Sequence, residues 1–140
     1  MEKANFIYPK ADIGDRIVAH LLDSVICFIG CLFLVIPGLA YSFIMDGLGK
    51  GQSIGKKNRE LMLINTTTNE PCTIGGSVIR ALIMIGFAAI PFIGIAFAVY
   101  NIYTSLTNPH GIGFYDKLLH FQVIRKEDYE NKNFIIGKVQ

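Results

Sequence analysis

Two long stretches of this 140-residue chain contain no charge at all. Ser24 to Met45, 22 residues, and Ala81 to Asn108, 28 residues, lack Asp, Glu, Lys and Arg entirely. Apolar runs of roughly 18 residues or more are read as membrane-embedded segments. The alternative is a helical domain with two strongly apolar buried helices. The 51% hydrophobic content lies near the soluble norm, so the distribution carries more information than the average. Cysteine is scarce too: Cys27, Cys31 and Cys72 are too few and too scattered for a disulfide framework. No His or further Cys stands at ligand spacing from the Cys27 and Cys31 pair, which excludes a metal site there and leaves small core residues. No nucleophile and base pair is recognisable, so neither an enzyme nor a cofactor is expected.

A phosphate loop is also missing. The stretch GKGQSIGKK, 49 to 57, resembles one, but the Walker pattern requires G-x-x-x-x-G-K-[ST] after a strand. Lys50 occupies the first glycine position and Lys57 the hydroxyl position, and no apolar β-run precedes. Nucleotide and nucleic acid are therefore excluded as partners. The first apolar run does not read as a cleavable signal either, because His20 and Asp23 directly precede it and no Ala-x-Ala-like site follows it.

Ten of the thirteen cations lie in three groups: Lys3, Lys10 and Arg16; Lys50, Lys56, Lys57 and Arg59; Lys117, Arg125 and Lys126. If the apolar runs are membrane-embedded, the positive-inside rule places all three groups on the cytoplasmic side, both termini included. Each run must then turn back, at Ile36-Pro37-Gly38 and near Ile90-Pro91. About 30 residues per hairpin, roughly 45 Å of helix, is too short for two full crossings. Short, tilted or re-entrant arms follow, to be covered by a homo-oligomer or another membrane protein.

An internal repeat is legible. GQSIGKKNRELMLI (51 to 64) aligns with GIGFYDKLLHFQVI (111 to 124) at an offset of 60, matching Gly51 with Gly111, Lys57 with Lys117 and Ile64 with Ile124. This alignment sets Asp116 opposite Lys56 and predicts a contact of Lys56 or Lys57 with Asp116 across a pseudo-twofold. The expected fold is an all-α integral membrane protein of two Pro/Gly-bent helical hairpins in parallel repeat, each followed by a short amphipathic helix and a strand-like end. Repeat one covers 16–64 and repeat two 78–124 within a 16–125 domain. An N-terminal segment, 1–15, and a polar tail, 126–140, flank it, and Phe134-Ile135-Ile136 is a candidate docking motif in the tail. Lys56 and Lys57 form a basic elbow expected to sit at anionic headgroups.

On a helix advancing about 100° per residue, Arg16, His20 and Asp23 fall on one stripe. Such a stripe must face protein, water or a partner charge. One reading makes Asp23 a cation or proton carrier with His20 as relay. The other makes it a structural ion pair with Arg80, or with Arg16 through His20.

Together these segments resemble the RDD family, named for one arginine and two aspartates. GDRIVAHLLDSVI carries Arg16 and Asp23, GQSIGKK the glycine-lysine segment, EPCTIGGSVIRAL Arg80, and TNPHGIGFYDKLLHFQVI Asp116. The resemblance implies a prokaryotic cell-membrane protein with a proposed part in transport, with the bilayer as partner. Arg16, His20, Asp23, Arg80 and Asp116 would form its charge network, either as a small cation or proton transporter or as a non-catalytic scaffold or accessory subunit held by structural ion pairs. Two departures stand out: Glu60 and Leu119-His120-Phe121 replace the family's glycine and Ala-Gly-Thr, stiffening the turns from short helix to strand.

Overall fold

The chain is seen here in a computed structural model that describes residues 5–33, 35–88, 90 and 93–137. Asp12 opens the first long helix, its carboxylate accepting the Asp15 N–H at 3.3 Å as an N-cap does. This helix, α1 (Ile13–Phe33), is followed by α2 (Val35–Leu48) and the five-residue α3 (Ile54–Asn58). Strands β2 (Leu61–Asn65) and β3 (Glu70–Pro71) come next, then α4 (Ile74–Ala88) and α5 (Ile93–Thr107). The chain closes with α6 (Phe114–Leu118), β4 (Phe121–Arg125), α7 (Lys126–Glu130) and β5 (Ile135–Gly137), the last paired with the N-terminal β1 (Asn5–Ile7).

The three-stranded sheet runs β3-β2-β4, all antiparallel. Leu61, Leu63, Phe121 and Val123 project to one face, into a core with Ala11, Ala19 and Cys72. Met62, Ile64 and Ile124 project to the other, against Tyr8 and the rings of Phe6, Tyr129 and Phe134. Burial of both faces explains why LMLI reads as a continuous apolar run rather than an alternating one. Gln122, fully buried, splices the N-terminal segment onto β4: its carbonyl accepts the Tyr8 N–H at 3.0 Å and its amide donates to the Tyr8 carbonyl at 2.8 Å.

The repeat offset survives in backbone detail. Helices α3 and α6 and strands β2 and β4 are each displaced by sixty positions, and Leu63 pairs with Val123, its own equivalent. Gly51 and Gly111 have φ of 82° and 66°, and Glu60 and His120 of 53° and 57°. The two departures from the family pattern thus stand where each short helix ends in a left-handed residue, the place glycine fills at least cost.

Several expectations are corrected. The fold is mixed α and β rather than all-α. Among the described residues no helix is long and apolar enough to cross a membrane. Helix α1 has 21 residues but carries Asp15, Arg16 and Asp23, and α2, α4 and α5 have 14 or 15, roughly 22 Å of rise against a ~30 Å hydrocarbon core. The integral membrane hairpins, the bilayer as partner and the inner-membrane placement with cytoplasmic termini all rested on such crossings and are overturned with them. So is the reason for a homo-oligomer or second membrane protein, which was to cover short spanning arms. Pro37 lies in the first turn of α2, where a missing N–H costs nothing; Pro91 lies outside the described residues. The tail beyond 126 supplies α7 and β5, and Phe134 packs on Phe6 with ring centroids 5.1 Å apart.

Large apolar side chains nonetheless point outward from α1 and α5, including Phe28, Leu32 and Ile95. Helix α1 turns Ala19 and Asp23 inward and half-buries Arg16, whereas His20, Leu21, Val25 and Ile29 are exposed.

Candidate functional site

The short helix α3 sits directly on α1, and Gly55 makes this approach feasible. A Cβ on Gly55 would come within 2.1 Å of the Ala19 carbonyl oxygen. The closeness brings the α3 N-terminus onto the Asp23 carboxylate, which accepts the Gly55 N–H at 2.9 Å and the Ser53 hydroxyl at 2.5 Å. Ser53 in turn caps the helix by accepting from the Lys56 N–H at 3.3 Å. Tyr41 donates at 3.1 Å to Asp23 Oδ1, the oxygen that also accepts the Gly55 N–H. Burial and the adjacent carboxylate push the Tyr41 phenol up to about 12, so it remains a donor. Asp23 is thereby held by one backbone N–H and two hydroxyls, with no cation among its hydrogen-bond donors.

One turn further along α3, Lys56 turns into the protein and pairs with Asp46 at the end of α2; both are 2% exposed. The second oxygen of Asp46 receives Arg80 Nη1 at 3.0 Å. The same guanidinium forks onto Asp116 of α6, Nε to Oδ1 at 2.7 Å and Nη2 to Oδ2 at 3.3 Å. Lys56, Asp46, Arg80 and Asp116 therefore form one buried chain of alternating sign and zero net charge that ties α2, α3, α4 and α6 together. Burial alone would raise the Asp46 carboxyl, but Lys56 and Arg80 overcome this and hold it below the usual carboxylate range. For Arg80, burial works against the charge, and Asp116 and then Asp46 raise its pKa above the ordinary value. Among the described residues no buried side-chain nitrogen or oxygen lacks a hydrogen-bond partner, so the chain meets the condition under which buried charge is tolerated.

The residues singled out by sequence are distributed unevenly over this arrangement. Arg80 and Asp116 meet, in a pair that sequence reasoning did not propose; the proposed pairs of Asp23 with Arg80 and with Arg16 do not form. Lys56 and Asp116 do not touch, being the two ends of one chain whose middle is Asp46 and Arg80. Lys56 is buried in protein and Lys57 is exposed, so only Lys57 of the basic elbow faces outward. Arg16 donates to the Gly111 carbonyl at 2.6 Å, and burial lowers its pKa, partly offset by Asp116. His20 stands one turn further along α1, its pKa lowered first by desolvation and then by Lys56 and Arg80, against the opposing pull of Asp46 and Asp116. Asp46 was missed. Its signal was its position as the first charge after the 22-residue uncharged run, at the end of a helix that could not leave it in an apolar setting.

The arrangement offers no catalytic constellation: the buried Ser53 is committed to Asp23 and to capping. No group of three or more His, Cys, Asp or Glu among the described residues could hold a metal ion. The cation or proton transport reading required Asp23 inside a membrane span; with no spanning helix among the described residues, it is overturned. In comparison with known proteins, the model of the RDD family matches residues 28–120. No curated protein and no solved structure matches. The matched segment includes Asp46, Lys56, Arg80 and Asp116, the whole ion chain, and begins after Arg16 and Asp23.

Proposed function

The chain belongs to the RDD family, and we propose that it is a non-catalytic scaffold or accessory subunit whose buried ion pairs fix the packing of its helices. The observation that carries this reading is the chain from Lys56 through Asp46 and Arg80 to Asp116, in which each inner charge is shared between two neighbours. Removing one partner of a buried ion pair costs about 3–5 kcal/mol, because the other charge is left uncompensated. Such a lock is a device for specificity of packing: it holds α2 against α4 and seats α3 and α6 at their ends. The outward apolar sides of α1 and α5 are the surfaces that a scaffold of this kind keeps in fixed geometry.

Equilibrium unfolding of Arg80→Met tests the proposal. The expected outcome is a loss of about 3–5 kcal/mol, and replacing Lys56 by Met together with Asp46 by Leu should cost less than the two single changes added. An unchanged unfolding midpoint for Arg80→Met would sink the reading.

A further inference from the structure

Beside the ion chain, between α1, α4, α5 and α6, lies a cleft of about 230 Å³. Its walls are largely apolar, with Ile17 from α1, Met84 from α4 and Ile102 from α5. Its polar lining is rich in donors. Arg16 and His20 line it one turn apart on α1, and Asn101 and Ser105 one turn apart on α5, the Ser105 hydroxyl being already donated to the Gly111 carbonyl at 3.2 Å.

Charge accounting decides what such a cleft suits. Arg80 and Asp116 also line it, but both belong to the neutral four-member chain. Asp23 is not part of the lining. Arg16 is different: its one hydrogen bond from the guanidinium among the described residues goes to a neutral carbonyl, and it has no carboxylate within ion-pair distance. The carbonyl takes Nη1 and leaves the guanidinium's other N–H groups available. Asn101 uses its carbonyl oxygen to accept the Tyr115 N–H at 3.2 Å, which leaves its amide as a donor. His20 supplies at least one N–H in either tautomer. The cleft therefore carries a net charge of about +1, with unspent donors on Arg16, His20 and Asn101 in its lining and an apolar wall. At about 230 Å³ it is below the ~300–1,000 Å³ of drug-sized sites and matches the liquid volume of about eight water molecules.

From this geometry we infer that the cleft binds a small monocarboxylate with a short apolar body, its carboxylate on Arg16 and its body against Ile17, Met84 and Ile102. Arginine matches a carboxylate with two parallel N–H groups, and the ion chain next door remains undisturbed because it is already neutral. The site is independent of the scaffold reading, which concerns the four-member chain alone.

Isothermal titration of the full chain with butyrate, acetate and 1-butanol provides the test. The expected result is saturable butyrate binding at one site per chain, with acetate at least threefold weaker and no saturable binding of 1-butanol. Arg16→Gln should weaken butyrate at least tenfold. Ile102→Trp, at an exposed position that touches none of the ion pairs, should abolish binding by filling the cleft while circular dichroism stays unchanged; it decides the matter if Arg16→Gln fails to fold. The inference is overturned by the absence of saturable butyrate binding, by equal binding of butyrate and 1-butanol or acetate, or by butyrate affinity that survives Ile102→Trp.

Discussion

The helices α3 and α6 share a backbone and differ in the sign of one buried charge. Both are five residues long, both end at a residue with left-handed φ, and both feed the central pair of strands. Yet α3 places Lys56 and α6 places Asp116 at equivalent positions. Their starts differ as well. The Gly55 N–H of α3 meets the charged Asp23, while the Tyr115 N–H of α6, sixty positions on, meets the neutral amide of Asn101. The difference shows how a near-twofold backbone avoids a like-charge clash at its centre. Two lysines or two aspartates at these ends would leave the Asp46 and Arg80 link with one matched and one repelling neighbour. Opposite ends let a single alternating chain run through the axis.

The most severe way to break this comparison is to exchange the ends. Lys56→Asp combined with Asp116→Lys keeps the composition but sets Asp against Asp46 and Lys against Arg80. Two buried like-charge contacts should cost more than about 5 kcal/mol, most of the stability of a domain this size. Loss of the cooperative unfolding transition is the expected observation, and a folded exchange variant would show that the polarity of the chain is unimportant.

The caps should separate the halves next. Asp23→Ala deprives the Gly55 N–H, the Ser53 hydroxyl and Tyr41 of their acceptor, and the expected loss is about 3 kcal/mol in urea unfolding. Asn101→Ala removes one neutral acceptor at α6, for about 1 kcal/mol. Equal losses would show that the charged cap of the first half has no special weight.

A third contrast lies in pH. Asp46 and His20 belong to the first half, and both have lowered pKa values in the fold. For Asp46, the stabilisation is complete above its unfolded value near 3.8 and is lost as pH falls through the lower folded value. For His20, the unfolded chain takes up the proton first, so stability declines as pH drops below about 6.5 towards the lower folded value. Thermal unfolding as a function of pH should therefore show a decline beginning below 6.5 that His20→Gln removes, leaving only the acid loss due to carboxylates.

The smallest effect should be a gain, equal in both halves. Glu60→Gly and His120→Gly relieve left-handed backbone at the ends of α3 and α6, and each should add about 0.5–1 kcal/mol to stability. Matched gains would confirm that the twofold is a property of the backbone, and unequal ones would locate a side-chain role at one of the two turns.

Much of this half-to-half likeness was legible in the linear chain. Gly51 with Gly111 and Leu63 with Val123 lie sixty apart, and the glycine-to-Glu60 and glycine-to-His120 departures mark the turns before any coordinates are seen. The site was less legible. Arg80 and Asp116 were identifiable as charges needing partners, but Asp23 was assigned to the wrong one, and Asp46 escaped notice beside a conspicuous apolar run. The same run prompted the membrane reading. Run length counts uncharged residues without regard to where a helix starts and stops, and the helices here are either short or carry charges inside them.

By itself, the sequence determined what depends on neighbouring residues alone: the two short helices, the left-handed turns after them, and the strands LMLIN and FQVIR with their shared period. Backbone conformation of this kind is local, so a repeat in residues becomes a repeat in shape. Only the tertiary structure decided which charges meet, because Asp46, Lys56, Arg80 and Asp116 are 10 to 36 residues apart in pairs. Their meeting depends on how each helix is rotated about its axis. That rotation is set by the packing of helix on helix and by a buried charge's need for a partner of opposite sign.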